Sequence, residues 1–310
     1  MTEQSRRAKL AAIAGMVTAG ACWGLAAVMA KTAFDRGVSP VRMAEARAVV
    51  ALAVLGSILA WRRRDLLHPP PRSVLILIAF GLSLAGVNST YYIAIDRLAV
   101  GVAISLQYTA PVLLLGWAAV TARGRAPGRV VWLAAGLTLA GAVLVSRAYG
   151  GLGRVNGIGL LAAVGSAVTF ATYLLTAGRA GRRGIQPATV LFWGFVVAVL
   201  TWSVIAPWWS WPVRRLADVK VTLSVLGVGI VGTLIPFFLA VGALRVLQPA
   251  IAGIAATVEP PFAAAFAWLF LGQHLSLVQI AGGILVLAGV VLAQRTAAVM
   301  PEALAVEPVS

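Results

Sequence analysis

The sequence predicts an all-α polytopic membrane protein: ten transmembrane helices arranged as two inverted five-helix repeats. Three observations lead there. Hydrophobic residues make up 61% of the 310-residue chain and charged residues only 11%, against roughly 25% charged in a soluble domain. Ten apolar stretches follow one another, each near the about 20 residues needed to cross a hydrocarbon core. The stretches also fall into two sets of five with matching turns and prolines. A repeat with an odd number of crossings must enter the bilayer twice in opposite orientations, the architecture of many secondary transporters.

In chain order the first set covers 10–33, 43–61, 73–95, 98–121 and 130–146, and the second 155–177, 188–208, 221–244, 247–271 and 277–293. The chain then divides into an N-terminal segment 1–9, a first repeat 10–146, a linker 147–154, a second repeat 155–293 and a tail 294–310. The first stretch follows Arg6, Arg7 and Lys9 and ends near a passable cleavage site, Val28-Met29-Ala30. It is longer than a signal h-region of roughly 7–15 residues, so an uncleaved helix is the stronger reading. The second stretch opens after Ser39-Pro40. The third and fourth are separated only by Asp96-Arg97, and their counterparts in the second set only by Arg245-Val246. The seventh ends in Pro207-Trp208-Trp209-Ser210-Trp211-Pro212, which suits an interfacial anchor. The fifth and tenth carry Gly136, Gly141, Gly282, Gly283 and Gly289, which allow close backbone approach between halves or between protomers. The tail after Arg295 reads as disordered.

Particular residues carry the repeat. A shift of about 149 pairs Ala94 with Ala243, Leu98 with Leu247 and Pro111 with Pro260. A slightly smaller shift pairs Arg36-Gly37-Val38-Ser39-Pro40 with Arg183-Gly184-Ile185-Gln186-Pro187. Prolines and turns weigh more here than alanines, because apolar helices match easily.

The formal charge of +16 does not indicate nucleic acid. The basic residues sit in short loops, such as Arg62-Arg63-Arg64, where they orient helices in a membrane and attract lipid headgroups. With the N-terminus in the cytoplasm, the first half places ten basic residues inside, including Arg72, Arg123, Arg125 and Arg129. It places five outside: Lys31, Arg36, Arg42, Arg47 and Arg97. The second half is unbiased. Both termini are therefore expected in the cytoplasm of a bacterial-type inner membrane.

The fourth and fifth stretches of the second set read Pro249-Ala250-Ile251-Ala252, Val258-Glu259-Pro260-Pro261-Phe262-Ala263-Ala264, Leu271-Gly272-Gln273-His274-Leu275-Ser276 and Gly282-Gly283-Ile284-Leu285-Val286-Leu287-Ala288-Gly289. This run resembles the EamA-type repeat of the drug/metabolite transporter superfamily. A weaker copy stands at Thr109-Ala110-Pro111-Val112 and Leu139-Ala140-Gly141, and Ser39-Pro40 followed by Arg47 is similar to the family pattern. The resemblance covers residues 10–294. It implies ten helices, two inverted halves and a central cavity, with the amino-acid and metabolite exporters, those of aromatic amino acids included, as the nearest branch. The family's Gly-Glu-Arg-Leu-like turn is replaced here by Gly272-Gln273-His274-Leu275.

Glu259 is the strongest candidate for function. It is the one acidic residue deep inside a predicted stretch, and a carboxylate there costs about 2.5–3.5 kcal/mol on insertion scales, so it needs a cavity or a partner. Its readings are a proton-coupling site, a contact for a substrate ammonium, or a structural hydrogen bond. Pro111 and Pro260 kink their helices at matching places and point to a midplane site, or serve packing alone. Asn88, Tyr91 and Tyr92 share one helical face. With Gln107, Tyr108, Thr169, Trp23 and Tyr173 they form a candidate cavity wall for an amphipathic ligand; interhelical hydrogen bonding is the competing use of such groups.

Enzyme readings fail on inventory. There are two histidines, no HExxH, no P-loop and no Gly-x-Ser-x-Gly elbow. No His/Cys/carboxylate cluster offers a metal site, no cofactor is expected, and Cys22 reads as a small buried residue. The expected function is secondary active transport by alternating access, exporting amino acids or similar small metabolites, from a monomer or homodimer. A membrane-embedded enzyme on lipid-soluble substrates and a channel are the alternatives.

Overall fold

The computed structural model describes residues 3–98, 100–121, 127–151, 156–205, 207–272 and 274–299. Within these residues, helix forms in each of the ten predicted stretches. They form α1 (Glu3–Phe34), α2 (Pro40–Arg62), α3 (Val74–Arg97), α4 (Val100–Gln107), α5 (Ala110–Thr121), α6 (Arg129–Val145), α7 (Gly157–Arg182), α8 (Pro187–Ile205), α9 (Val219–Gly229), α10 (Ile235–Ala243), α11 (Pro249–Ala256), α12 (Glu259–Leu271) and α13 (Leu277–Val299). Among the described residues, eight segments are long and apolar enough to cross a membrane, and Arg129–Val145 and Leu277–Ala293 are shorter apolar helices. Large apolar side chains face outward from them, among them Leu75, Val120, Val204 and Leu277.

Three expected stretches are interrupted. The stretch 98–121 breaks at Tyr108-Thr109 into α4 and α5, and 247–271 breaks at Thr257-Val258 into α11 and α12. Proline explains both. Pro111, Pro260 and Pro261 lack an N–H and cannot donate to the carbonyls four residues back, so Pro111 and Pro260 stand second and Pro261 third in a new helix instead of continuing the old one. The stretch 221–244 stays helical but widens into a π-turn over Ile230–Leu234, just before Pro236. The ends differ from expectation too: α1 already begins at Glu3, and α13 runs on to Val299, past the point where a disordered tail was expected.

The two copies of the repeat share a turn in detail. After α1, Val38 N donates to Ala33 O at 3.1 Å and Gly37 N to Phe34 O at 2.9 Å; after α7, Ile185 N donates to Ala180 O at 3.1 Å and Gly184 N to Gly181 O at 3.0 Å. Gly37 and Gly184 have φ of 84° and 74°, the left-handed conformation that closes a helix at low steric cost only with glycine. Val38 and Ile185 then tuck into the interior, and Pro40 and Pro187 open the next helix. Between third and fourth helices the copies match less well: α3 runs on through Asp96-Arg97, whereas α10 ends at Ala243 and α11 begins only at Pro249.

α3 packs on α7 and α8, α1 on α10 and α12, and α6 on α13. The last seam is the closest. Gly141 and Gly282 face each other so tightly that a Cβ on Gly141 would stand 2.5 Å from Gly282 O, and Gly289 meets Thr138 in the same way. These glycines join the two halves. Gly136 has open space and Gly283 touches only Pro261.

Loop contacts hold the two ends of the bundle. At one end Arg42, paired with the buried Glu45 at 3.0 Å, donates to Ser210 Oγ and to Pro207 O, while Arg36 meets Asp218 at 3.2 Å and Arg215 donates to Arg36 O. At the other end Thr189 and Trp193 donate to the carbonyls of Leu66 and Leu67 at 2.9 and 3.0 Å. In that loop a hydrogen bond from the adjacent Arg63 holds the Asp65 carboxyl below the usual carboxylate range.

Candidate functional site

The two helix breaks meet in the centre of the bundle. Glu259 is the first residue of α12 and Tyr108 lies in the break between α4 and α5, and the Tyr108 hydroxyl donates to Glu259 Oε2 at 2.6 Å. The bond therefore joins the two copies of the repeat at their matching interruptions. Pro111 lies against Gly253 in the same region. A carboxylate at the start of a helix also complements the positive end of its dipole. Glu259 thus sits at a helix terminus, not midway along a continuous helix. Thr257, which turns its hydroxyl back to Ile254 O at 2.6 Å, and the two prolines place it there.

Aromatic rings extend from this bond. Tyr108 meets Phe170 edge-on at 6.2 Å, Phe170 stacks on Tyr173 at 5.9 Å, and Tyr173 meets Phe80 at 5.3 Å and Phe237 at 5.6 Å. Trp23 reaches the opposite side of the group, edge-on to Phe237 at 5.5 Å. Trp23 and Tyr173 both touch Phe237. Tyr173 is 1% exposed, and its hydroxyl is the one buried side-chain polar atom without a hydrogen-bond partner among the described residues. A buried hydroxyl left so costs about 1–3 kcal/mol, so the site holds an unmet polar demand at its centre.

Beyond Phe237 lies a small cavity lined by Arg47, Asn88, Leu84, Phe195, Trp202 and Thr233, among others. It has room for about one water molecule. Arg47 organises its wall. Pro236 cannot donate to Gly232 O, and Arg47 Nη2 takes that carbonyl at 3.0 Å; Arg47 Nε donates to Thr233 Oγ1 at 2.8 Å. The guanidinium also lies 5.9 Å from the Phe237 ring centre. Arg47 is therefore no loop residue and carries no weight in the comparison of basic loops. Its place five residues inside a predicted stretch was the signal that could have found it.

The remaining candidates scatter. Asn88 lines the cavity and donates to Leu84 O at 2.7 Å. Gln107 Oε1 accepts from Ser166 Oγ at 2.8 Å and ties α4 to α7. Thr169 bonds back to Gly165 O and lies against Gly86 in the α3–α7 seam. Tyr91 packs with Ala94, Leu98, Ala103 and Ala163 in a separate cluster. The Tyr92 side chain and Gln273 lie outside the described residues. Ser105 pairs with Ser146 at 2.8 Å. No group of three or more metal-ligating side chains is present among the described residues.

Comparison with known proteins matches this architecture. The model of the EamA-like transporter family fits the chain twice, over residues 10–147 and 157–294. Threonine/homoserine exporter RhtA of Salmonella typhimurium strain SL1344 is 27% identical over 259 residues, covering 82% of this chain and 81% of its own. RhtA of Escherichia coli K12 matches at the same identity and coverage. A solved crystal structure shares the fold at a TM-score of 0.73 and 19% identity, over 96% of this chain and 98% of its own.

Proposed function

The chain belongs to the EamA-like transporter family, and from that premise we propose that it exports amino acids or similar small amphipathic metabolites by alternating access around the Tyr108–Glu259 site. The names of its relatives support the substrate class. The ten helical segments are taken to cross an inner membrane as two inverted repeats. The matched Gly37 and Gly184 turns support this, since the first lies at the end of the bundle bearing Asp218 and the second at the end bearing Leu66.

The observation that carries the mechanism is the 2.6 Å bond between the two helix breaks. Broken helices at matching places in two halves mark the substrate site of many inverted-repeat carriers, because the unwound backbone is tolerated where it lines a cavity. Tyr108 holds Glu259 in place across the interface between the copies. If the halves rock about this point, the carboxyl faces each side in turn. A proton taken on one side and released on the other then couples substrate movement to the proton gradient. Trp23, Phe237 and Tyr173 supply an apolar wall beside it, and Asn88 a polar corner.

The test is counterflow in proteoliposomes loaded with L-threonine, L-homoserine or L-phenylalanine. Saturable exchange is expected, and unsaturable flux would indicate a channel. Glu259→Gln keeps shape and hydrogen bonding but cannot titrate. It is expected to exchange substrate and to lose accumulation driven by a pH gradient. Full pH-driven accumulation by the folded variant overturns the coupling role.

A further inference from the structure

Arg47 has more donors than its scaffolding role uses. The π-turn engages Nε and one N–H of Nη2. Nη1 has no partner among the described residues, and a guanidinium offers five donors in a fixed fork. Arg47 lines the cavity shared with Asn88, and the π-turn does not take up its Nη1–Nη2 edge, the one that grips a carboxylate through two parallel bonds. A cation inside an apolar bundle is costly unless matched by an anion. Glu259, the carboxyl at the helix breaks, is already engaged by Tyr108. Phe237 meets both the Arg47 guanidinium and Tyr173, the latter with its orphaned hydroxyl.

We propose that Arg47 anchors the carboxylate of the substrate, so that the ligand is an α-amino carboxylate whose ammonium turns toward Tyr173 and Glu259. The inference rests on the exporter reading for the site and goes beyond it in naming both charged ends of the ligand. A zwitterion brings no net charge, so the site with Arg47 and Glu259 stays balanced when loaded. The ammonium and a proton also become alternative neutralisers of Glu259, which links ligand class to coupling. The Gly232 and Thr233 bonds then have a purpose: they hold the guanidinium so that its free edge is presented without loss of rotamer freedom on binding.

The full chain, purified in detergent, is titrated by thermal shift with L-threonine, L-phenylalanine, their carboxamides and 2-phenylethylamine. The acids are expected to stabilise at concentrations at least about tenfold lower than the carboxamides, since a site built for a charged partner rejects the analogue that lacks it. Arg47→Gln should shrink that preference to near unity, and Arg47→Lys, which keeps charge but not the fork, should fall between. Equal stabilisation of the wild type by acid and carboxamide overturns the proposal, as does an unchanged preference in a folded Gln variant. Should the Gln variant not fold, full preference in the Lys variant overturns it. If no compound shifts the wild type, the same panel is run as competitors of counterflow, where equal competition by acid and amide counts against the anchor. Amino-acid exchange that ignores the carboxylate would sink the anchor and leave the exporter reading standing. Absence of any amino-acid exchange would sink both.

Discussion

Replacing Gly141 with alanine should loosen the seam between the two halves, and the size of the effect can be worked out from the backbone. The new Cβ would stand 2.5 Å from Gly282 O, 2.7 Å from Val286 N and 2.8 Å from Val286 Cγ2. Ordinary contact begins near 3.4 Å, so α6 and α13 must separate by about 0.9 Å, the difference between 3.4 and 2.5 Å. Two of the three obstructing atoms are backbone and cannot rotate aside. Overpacking of this kind costs about 1–3 kcal/mol. Alanine returns roughly 0.5–1 kcal/mol through helix propensity. Gly136→Ala isolates that gain, because a Cβ there meets nothing within 4 Å. The two variants should therefore differ by about 1–3 kcal/mol, a gap of about 2–6 °C in melting midpoint at the roughly 2 °C per kcal/mol of a large chain. Thermal denaturation of both in the same detergent reads it. Adding Gly282→Ala to Gly141→Ala should cost less than the sum, because one separation makes room for both methyls. A Gly141→Ala variant as stable as Gly136→Ala would refute the tight seam.

Three further outcomes are expected. Tyr108→Phe removes the donor to a carboxylate held in the bundle and should lower stability by about 1–3 kcal/mol while slowing substrate exchange; an unchanged melt and exchange rate would deny the bond any part in either. In a Cys22→Ala background, Asn88→Cys should react with small thiol reagents and be protected by substrate, whereas Thr169→Cys in the α3–α7 seam should stay inert; the reverse pattern would move the cavity. Cysteines at Glu3 and at Glu307, the latter outside the described residues, should resist impermeant reagents in intact cells, and labelling of either from outside would overturn the cytoplasmic placement of the termini.

The helices and the repeat were legible because each has a local cause. Apolar length makes a helix, Gly37 and Gly184 close one, and Pro40 and Pro187 open the next. Glu259 was legible as a charge without a soluble context. Its true setting was not, because a proline reads equally as a kink or as the start of a new helix, and only the packed bundle decides. Faces were the weakest reading. In a soluble helix the polar side faces water, so inside and outside differ in the sequence; here both sides are apolar. Asn88 and Tyr91 could share a face by spacing, and Gln107 was expected beside them, yet Tyr91 packs in another cluster and Gln107 is taken by Ser166. Arg47 was missed for a related reason. Near a turn in sequence it counted as a loop charge, although it lies two turns into α2 and completes a carbonyl freed by Pro236 on a helix far along the chain.

The two ends of the bundle are fastened by different chemistry. Around Arg36 the fastening is ionic and partly open to water, with Asp218 as the counter-charge; around Leu66 and Leu67 it consists of neutral hydrogen bonds. Mobile ions screen exposed charges over about 8 Å at physiological strength and 3 Å at 1 M, and leave neutral bonds nearly untouched. Added salt therefore weakens one closure and spares the other. If the halves rock as proposed, the balance between states open at either end is tied to ionic strength, and cargo leaves on the ionic face more readily in a saline medium than in a dilute one.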